Sequence, residues 1–284
     1  MFAFADLLII AAAPVVTKAW QSSTPLWVFT TFTLVPSAIF LFCLKPRQVR
    51  TWFRRDVFFL LLANALFGSF ATFILFFTAL QYTTATNAAL VEQVEIVYSL
   101  AIAVVFLRER ISLQQLVGTV MITATVASIL IRPGFSFNKG ELMMLAVPLG
   151  FQTGHAIAKR LLTRIDAVEM AAGRQVFSTV LICSFAAAVG RSDFDGQWQW
   201  RRMLALAGIG MIVHAANSLV WFAALKRMNL SKATAIVMAY PVLTAVFEWA
   251  ATGAPLPPRT VIALALMIVA LAVLVTSPAR PASA

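Results

Sequence analysis

Apolar residues run in ten long stretches, at about 2–20, 25–44, 57–80, 84–107, 113–131, 141–158, 166–190, 203–225, 232–252 and 258–276. Short breaks of polar and charged residues divide them. A helix rises about 1.5 Å per residue, so about 20 apolar residues cross a hydrocarbon core of about 30 Å. Each stretch therefore predicts a membrane-crossing helix. The alternating strands of about ten residues that mark a membrane barrel are absent. Two stretches are weak. The first carries Asp6, Pro14 and Lys18, and the sixth carries Pro148 and His155, so nine spans is the competing count. Prolines 14, 36, 148 and 241 fall inside spans and read as tolerated kinks, because neighbours satisfy the freed carbonyls. The opening MFAFADLLIIAAAP lacks a basic leader and carries Asp6, so it reads as a first span and not as a signal peptide. The chain is expected to enter the membrane almost at its first residue.

Composition leaves no room for anything else. Of 284 residues, 61% are hydrophobic and 12% charged, with a mean hydropathy of +0.88; soluble domains are about 45–50% apolar and about 25% charged. Ten spans take roughly 200 residues. The remainder is too short for a nucleotide-binding domain, which excludes an ATP-driven pump. The net charge of +11 sits in the breaks, as Lys and Arg flanking membrane helices do, so nucleic acid is excluded as a partner and the lipid bilayer is the expected one. Cys43 and Cys183 lie within apolar runs and read as packing residues, with no disulfide and no metal site.

The breaks also orient the chain. With the N-terminus cytoplasmic, the inner breaks hold Lys45, Arg47, Arg50, Arg54, Arg55, Arg108, Arg110, Lys159, Arg160, Arg164, Lys226, Arg227, Lys232 and Arg280. The outer breaks hold half as many, namely Lys18, Arg132, Lys139, Arg191, Arg201, Arg202 and Arg259. The bias predicts both termini inside and an even span count. Trp20, Trp27, Trp52, Trp198 and Trp200 fall at span ends, as interfacial anchors do. Trp221 and Trp249 lie deeper, facing either a cavity or lipid.

The chain also carries an internal repeat. FFTALQYTTATNAALVEQVEIVYSLAIAVV from Phe76 matches WFAALKRMNLSKATAIVMAYPVLTAVFEWA from Trp221 at an offset of about 145 residues, with Ala88/Ala233 and Val97/Val242 coinciding. Five spans per half make the halves point oppositely, an inverted repeat typical of secondary transporters, with the substrate site near the midplane. The expected fold is an all-α integral membrane protein of ten transmembrane helices, as two inverted five-helix repeats at 1–132 and 139–278.

These residues resemble the ten-span, EamA-type branch of the drug/metabolite transporter superfamily. The resemblance is carried by FFTALQYTTATNAAL (Phe76–Leu90), by FLRERISLQQLVGTVMITATVASIL (Phe106–Leu130) with its helix-end turn, and by the Trp221 segment. Arg108 replaces the family's glycine in that turn, and the second copy, ATGAPLPPRT, has Ala254 where the glutamate belongs. The resemblance implies an exporter or exchanger of small organic solutes, proton-coupled or facilitative. Glu109 and Arg110 then read as a structural ion-pair network at a helix end.

Candidate chemistry rests on polar residues inside spans, where a charge costs roughly 2.5–3.5 kcal/mol and so faces the bundle interior. Glu92 and Glu95, at i and i+3, share a helix face, with Glu95 near mid-span. Two carboxylates in one low-dielectric site do not both ionise readily, which suits a proton or cation carrier; helix–helix hydrogen bonding is the plainer alternative. Adding 145 residues to Glu95, Ser69 and Thr72 gives Tyr240, His214 and Asn217. Equivalent midplane positions in inverted halves lie at similar depth, so Glu95, Tyr240, His214 and Asn217 are candidates for one cavity. Arg174 and His155 fall together in the inner third. Arg174 is a candidate for a substrate carboxylate, with pairing to Glu169 or snorkelling as the alternative. The candidate substrate- or proton-binding set is Glu92, Glu95, His214, Asn217, Tyr240 and Arg174. Glu248 is expected toward the outer end of its span, beside Lys18, and Asp6 at the interface. Gly150 and Gly154 fit close helix packing.

No hydrolase, metalloprotease or P-loop motif is present, so no enzyme and no cofactor are expected. Acids outnumber bases in the spans, which favours cationic or zwitterionic solutes such as amino acids, with protons as the coupling ion. The competing readings are a facilitative exchanger, a lipid-linked transferase and a non-transporting membrane subunit. A monomer or weak homodimer is expected.

Overall fold

The structure, a computed structural model, describes residues 2–98, 113–131, 138–195, 199–227 and 237–275. The turn around Arg108, Glu109 and Arg110, with Arg132, Trp198, Lys232, Ala233 and Arg280, lies outside the described residues.

Among the described residues every regular element is helical. In chain order these are α1 (Phe2–Gln21), α2 (Leu26–Leu44), α3 (Arg55–Leu80), α4 (Ala85–Glu92), α5 (Leu113–Leu130), α6 (Lys139–Met144 continued by Val147–Leu161), α7 (Ala167–Val189), α8 (Trp200–Arg227), α9 (Tyr240–Thr252) and α10 (Pro258–Val275). Five of them, α1, α2, α3, α7 and α8, are long and apolar enough to cross a membrane, and α5 and α10 contain shorter apolar stretches. Local chemistry sets several ends. Asp166 and Glu169 close a capping box on α7, Asn138 accepts from the N–H groups of Gly140 and Glu141 to start α6, and Gly253, at φ 65°, ends α9. Pro148 and Pro241 stand in the first turns of helical segments. Each follows a break inside its span, at 145–146 and at 238–239, and restarts the helix where the missing N–H costs nothing; the kinks expected at these two prolines take the form of breaks just before them.

The 145-residue offset reappears in backbone detail. Both third helices contain one π-helical turn, Leu66–Phe70 in α3 and Met211–Ala216 in α8. Both fourth helices are interrupted at equivalent places, by turns at 93–94 and at 238–239. Equivalent helices run antiparallel. Arg259, in the first turn of α10, donates to carbonyls at the end of α5, those of Ser128 (2.6 Å), Ile129 and Ile131. Lys45, after α2, pairs with Asp166 and Glu169 at the start of α7, and at the opposite end Gly190 lies against Trp27.

One end of the bundle gathers the start of α1 and the ends of α6 and α8. There the Arg227 guanidinium lies 4.4 Å from the Phe2 ring, and Lys159 donates to Leu225 O at 2.7 Å. Trp52 belongs to the packed interior at this end, 2% exposed and edge-on to Phe177. It is not the interfacial anchor expected of it. At the far end Glu248 of α9 accepts from Ala85 N (3.0 Å), Thr86 N (2.8 Å) and the Thr86 hydroxyl, capping α4 across the halves. Lys18 lies within electrostatic range of Glu248, as expected, and donates its hydrogen bond to Leu80 O.

Candidate functional site

The interruptions of α4 and α9 face one internal cavity. Its volume is about 150 Å³, and most of its wall is apolar. An interrupted helix exposes backbone and polar side chains at membrane depth, which is tolerated where they line a cavity. All six candidate residues, Glu92, Glu95, Arg174, His214, Asn217 and Tyr240, line it.

The acid pair lies at the break of α4. Helix α4 ends at Glu92, the chain tightens through i→i+3 bonds such as Val94 N to Val91 O (3.1 Å), and a helical turn resumes at 95–98. Both carboxylates thereby reach the cavity, within electrostatic range of each other. Each has a neutral donor from the other half. Tyr240 Oη donates to Glu92 Oε2 at 2.8 Å and approaches Ala89 O at 3.2 Å, and Gln152 Nε2 donates to Glu95 Oε1. Glu92 is 8% exposed and Tyr240 7%.

To the same cavity α7 supplies Arg174, whose Nη2 donates to Ser218 Oγ at 3.1 Å. Its guanidinium lies 5.2 Å from the Phe222 ring and 5.9 Å from Phe73. Glu169 is not its partner, being committed to the α7 cap and Lys45. The π turn of α8 presents His214 between Phe73 (5.5 Å) and Phe77 (6.2 Å). A π turn adds one residue to the turn and re-aims the side chains beyond it. The next residue, Asn217, donates to Asp6 Oδ1 at 2.8 Å. Asp6 is 1% exposed and lines the cavity, so it is no interfacial residue. His155 and Trp221 also line the cavity, their rings 4.8 Å apart.

The cavity is chemically divided. Every acid that lines it (Asp6, Glu92, Glu95) comes from the first half, and every basic side chain (His155, Arg174, His214) from the second. At the 145-residue offset, Arg174, His155 and His214 stand opposite Phe29, Ile10 and Ser69, while Asp6, Glu92 and Glu95 stand opposite Phe151, Val237 and Tyr240. The shared backbone is therefore symmetric and the chemistry is not. Sequence reasoning left Asp6, Gln152, His155 and Trp221 out of the candidate set. A polar residue at mid-span was the signal for Gln152 and His155; Asp6 stands too near the start of its helix to give one.

Comparison with known proteins agrees with this architecture. The EamA-like transporter family matches residues 1–131 and 138–276. An uncharacterized transporter of Bacillus subtilis (strain 168), YoaV, is 26% identical over 110 residues, which is 39% of this chain and 37% of that protein. A solved crystal structure superposes with a TM-score of 0.72 at 18% identity, covering 96% of this chain and 94% of the other; at that identity the likeness shows the fold. With the family matched over almost the whole chain, the protein is a multi-pass membrane protein that belongs to the EamA-like transporter family.

Proposed function

We propose that the protein is a secondary transporter that exports small zwitterionic or cationic organic solutes, amino acids or similar metabolites, across the cytoplasmic (inner) membrane in exchange for protons. The observation that carries this reading is the buried acid pair at the break of α4, with Arg174 in the same cavity. A solute bearing an ammonium and a carboxylate matches both. Helices interrupted at the substrate site are a recurrent construction of secondary transporters, in which one half rocks against the other around a fixed site. Tyr240 and Gln152 tie the acid pair to the second half, so charge arriving at these carboxylates reaches the contact between halves. The basic end of the bundle supports cytoplasmic termini.

In this scheme Glu95 holds a proton while the cavity is closed. With the cavity open to the cytoplasm, the cationic group of the substrate displaces that proton into the cytoplasm, because one low-dielectric site does not readily hold both positive charges. Opening outward releases the solute and lets a proton return, so the inward proton gradient drives export. Glu92 shares the site, and Asn217 and His214 line the path.

The test is flux in proteoliposomes of purified protein, with a panel of labelled amino acids, amines and organic acids and an imposed pH step. Accumulation of a zwitterion or amine that follows the pH step supports the scheme. Equilibration of a solute that ignores the step makes the protein a facilitative exchanger. Product formed from labelled lipid-linked precursors without flux makes it a transferase.

A further inference from the structure

We propose that Arg174, His155, His214 and Trp221 form a receptor for the carboxylate of the substrate, and that Asp6 is its built-in competitor. The proposal rests on the reading of the cavity as the substrate site, and not on proton coupling.

The first observation is a set of unused donors in one place. Arg174 is 9% exposed, His214 5% and Trp221 8%. Arg174 Nε, Trp221 Nε1, His155 Nδ1 and His214 Nε2 are all buried with no hydrogen-bond partner among the described residues. A guanidinium has five N–H donors, an indole one, and a neutral imidazole can carry its proton on either nitrogen. Buried polar groups are ordinarily paired, so four unpaired in one wall point to a ligand with several acceptors. The two imidazoles both lie within electrostatic range of Arg174, and Trp221 packs on His155.

The second observation is the shape of the charge. The rings of Phe73 and Phe222 lie 5.9 and 5.2 Å from the guanidinium, within cation–π range, and help hold its planar fork in place. A carboxylate offers two parallel acceptors and matches such a fork bidentately. The acid pair on the facing half excludes the reverse orientation, because it repels the same group.

The third observation is Asp6. It lies within electrostatic range of Arg174, yet the pair does not close to ion-pair distance. Asp6 is held back by Asn217. It compensates Arg174 when no substrate is bound, and it opposes a second carboxylate entering the same field.

Binding to purified protein in detergent, measured by calorimetry, tests this with 4-methylpentanoate, which has a carboxylate on an apolar tail and no ammonium. The comparison probes are 4-methylpentanamide and inorganic phosphate. A hydrogen bond to a charged group is worth about tenfold or more in affinity. The amide should therefore bind at least about tenfold more weakly than the acid, and Arg174→Gln should lose about as much. Trp221→Phe, which keeps an aromatic ring and removes the N–H, should weaken the acid several-fold and the neutral amide less. Asp6→Asn should tighten the acid several-fold, the one change of opposite sign. If Arg174→Gln does not fold, the last two variants decide. No measurable binding of the acid, equal binding of acid and amide, preference for phosphate, or an Asp6→Asn protein that binds the acid more weakly each overturns the proposal. Loss of pH-driven flux with acid binding intact removes the coupling scheme and leaves the receptor standing.

Discussion

Replacing Gly154 by alanine puts one methyl group where two helices touch. Gly154 in α6 meets the π turn of α3 at Gly68. A Cβ on Gly154 would lie 2.7 Å from Gly68 Cα, and one on Gly68 would lie 2.6 Å from Gly154 Cα. Carbon atoms rest at about 3.5–4.0 Å, so the helices must part by roughly 1 Å. The opposing atoms are backbone, and no side chain can swing away. Asn64 Nδ2 donates to Gly154 O at 2.6 Å in the same contact, and parting the helices stretches that buried bond. Overpacking costs about 1–3 kcal/mol and the weakened bond about 1 kcal/mol. The sum, about 2–4 kcal/mol, corresponds to a fall in Tm of about 4–16 °C for a chain of this size. Gly208→Ala is the control. Gly208 sits in α8, and a Cβ added there would meet no atom within 4 Å. The alanine gains helix propensity of up to about 1 kcal/mol and should leave Tm unchanged or slightly raised. Thermal unfolding in detergent, followed by reaction of the partly buried Cys183 with a thiol dye in a Cys43→Ser background, measures both. A Gly154→Ala protein that melts within about 2 °C of the parent would refute the close approach of α3 and α6.

Other contacts give three further predictions. Burial opposes ionisation of Asp166, but the bonds from Lys45 and from the α7 backbone outweigh it and hold its carboxyl below the ordinary value; its stabilisation is complete above an unfolded value of about 3.9 and is lost as pH falls through the lower folded one. Asp166→Asn should therefore cost less than about 1 kcal/mol at pH 7, since the pair is exposed, and melting curves across pH should show a shallower loss of stability below about pH 4 than the parent. Glu248→Ala removes the cap that α9 lends to α4 and should cost about 1–3 kcal/mol in the same melting assay, with Glu248→Gln nearer the parent. Reporter fusions after Arg55, Ser136, Arg164, Asp195 and Ala284 should read in, out, in, out, in; an external reading at Ala284 overturns the orientation.

The helices were legible in the sequence because membrane burial writes long apolar runs; the acid pair was expected on one helix face, and both carboxylates do reach the cavity, although α4 breaks between them at 93–94. The 145-residue offset carried depth information as well, and it brought Tyr240, His214 and Asn217 to the cavity with Glu95. Other features had no sequence signature. The π turns at Leu66–Phe70 and Met211–Ala216 shift the bonding register without changing the apolar run. The break of α4 carries no proline, although its counterpart in α9 is followed by Pro241. Asp6 stands near the start of α1, and depth counted along one helix placed it at the surface; Asn217, more than 200 positions away in the chain, buries it. Glu248 was expected to pair with Lys18 or another outer base, and Lys18 does lie within its electrostatic range. Unsatisfied N–H groups at the start of α4 compete for the same carboxylate and take it.

The central claim is that the acid pair couples a proton to solute movement. Proteoliposomes holding the parent protein or Glu95→Gln, given the same imposed pH step and the same transported solute, test it most directly. Gln resembles the neutral acid, so the variant should insert and elute as a folded protein. It should lose accumulation against the gradient, while exchange of labelled for unlabelled solute in the absence of a pH step persists. Glu92→Gln/Glu95→Gln protein that still accumulates solute as well as the parent would contradict the claim.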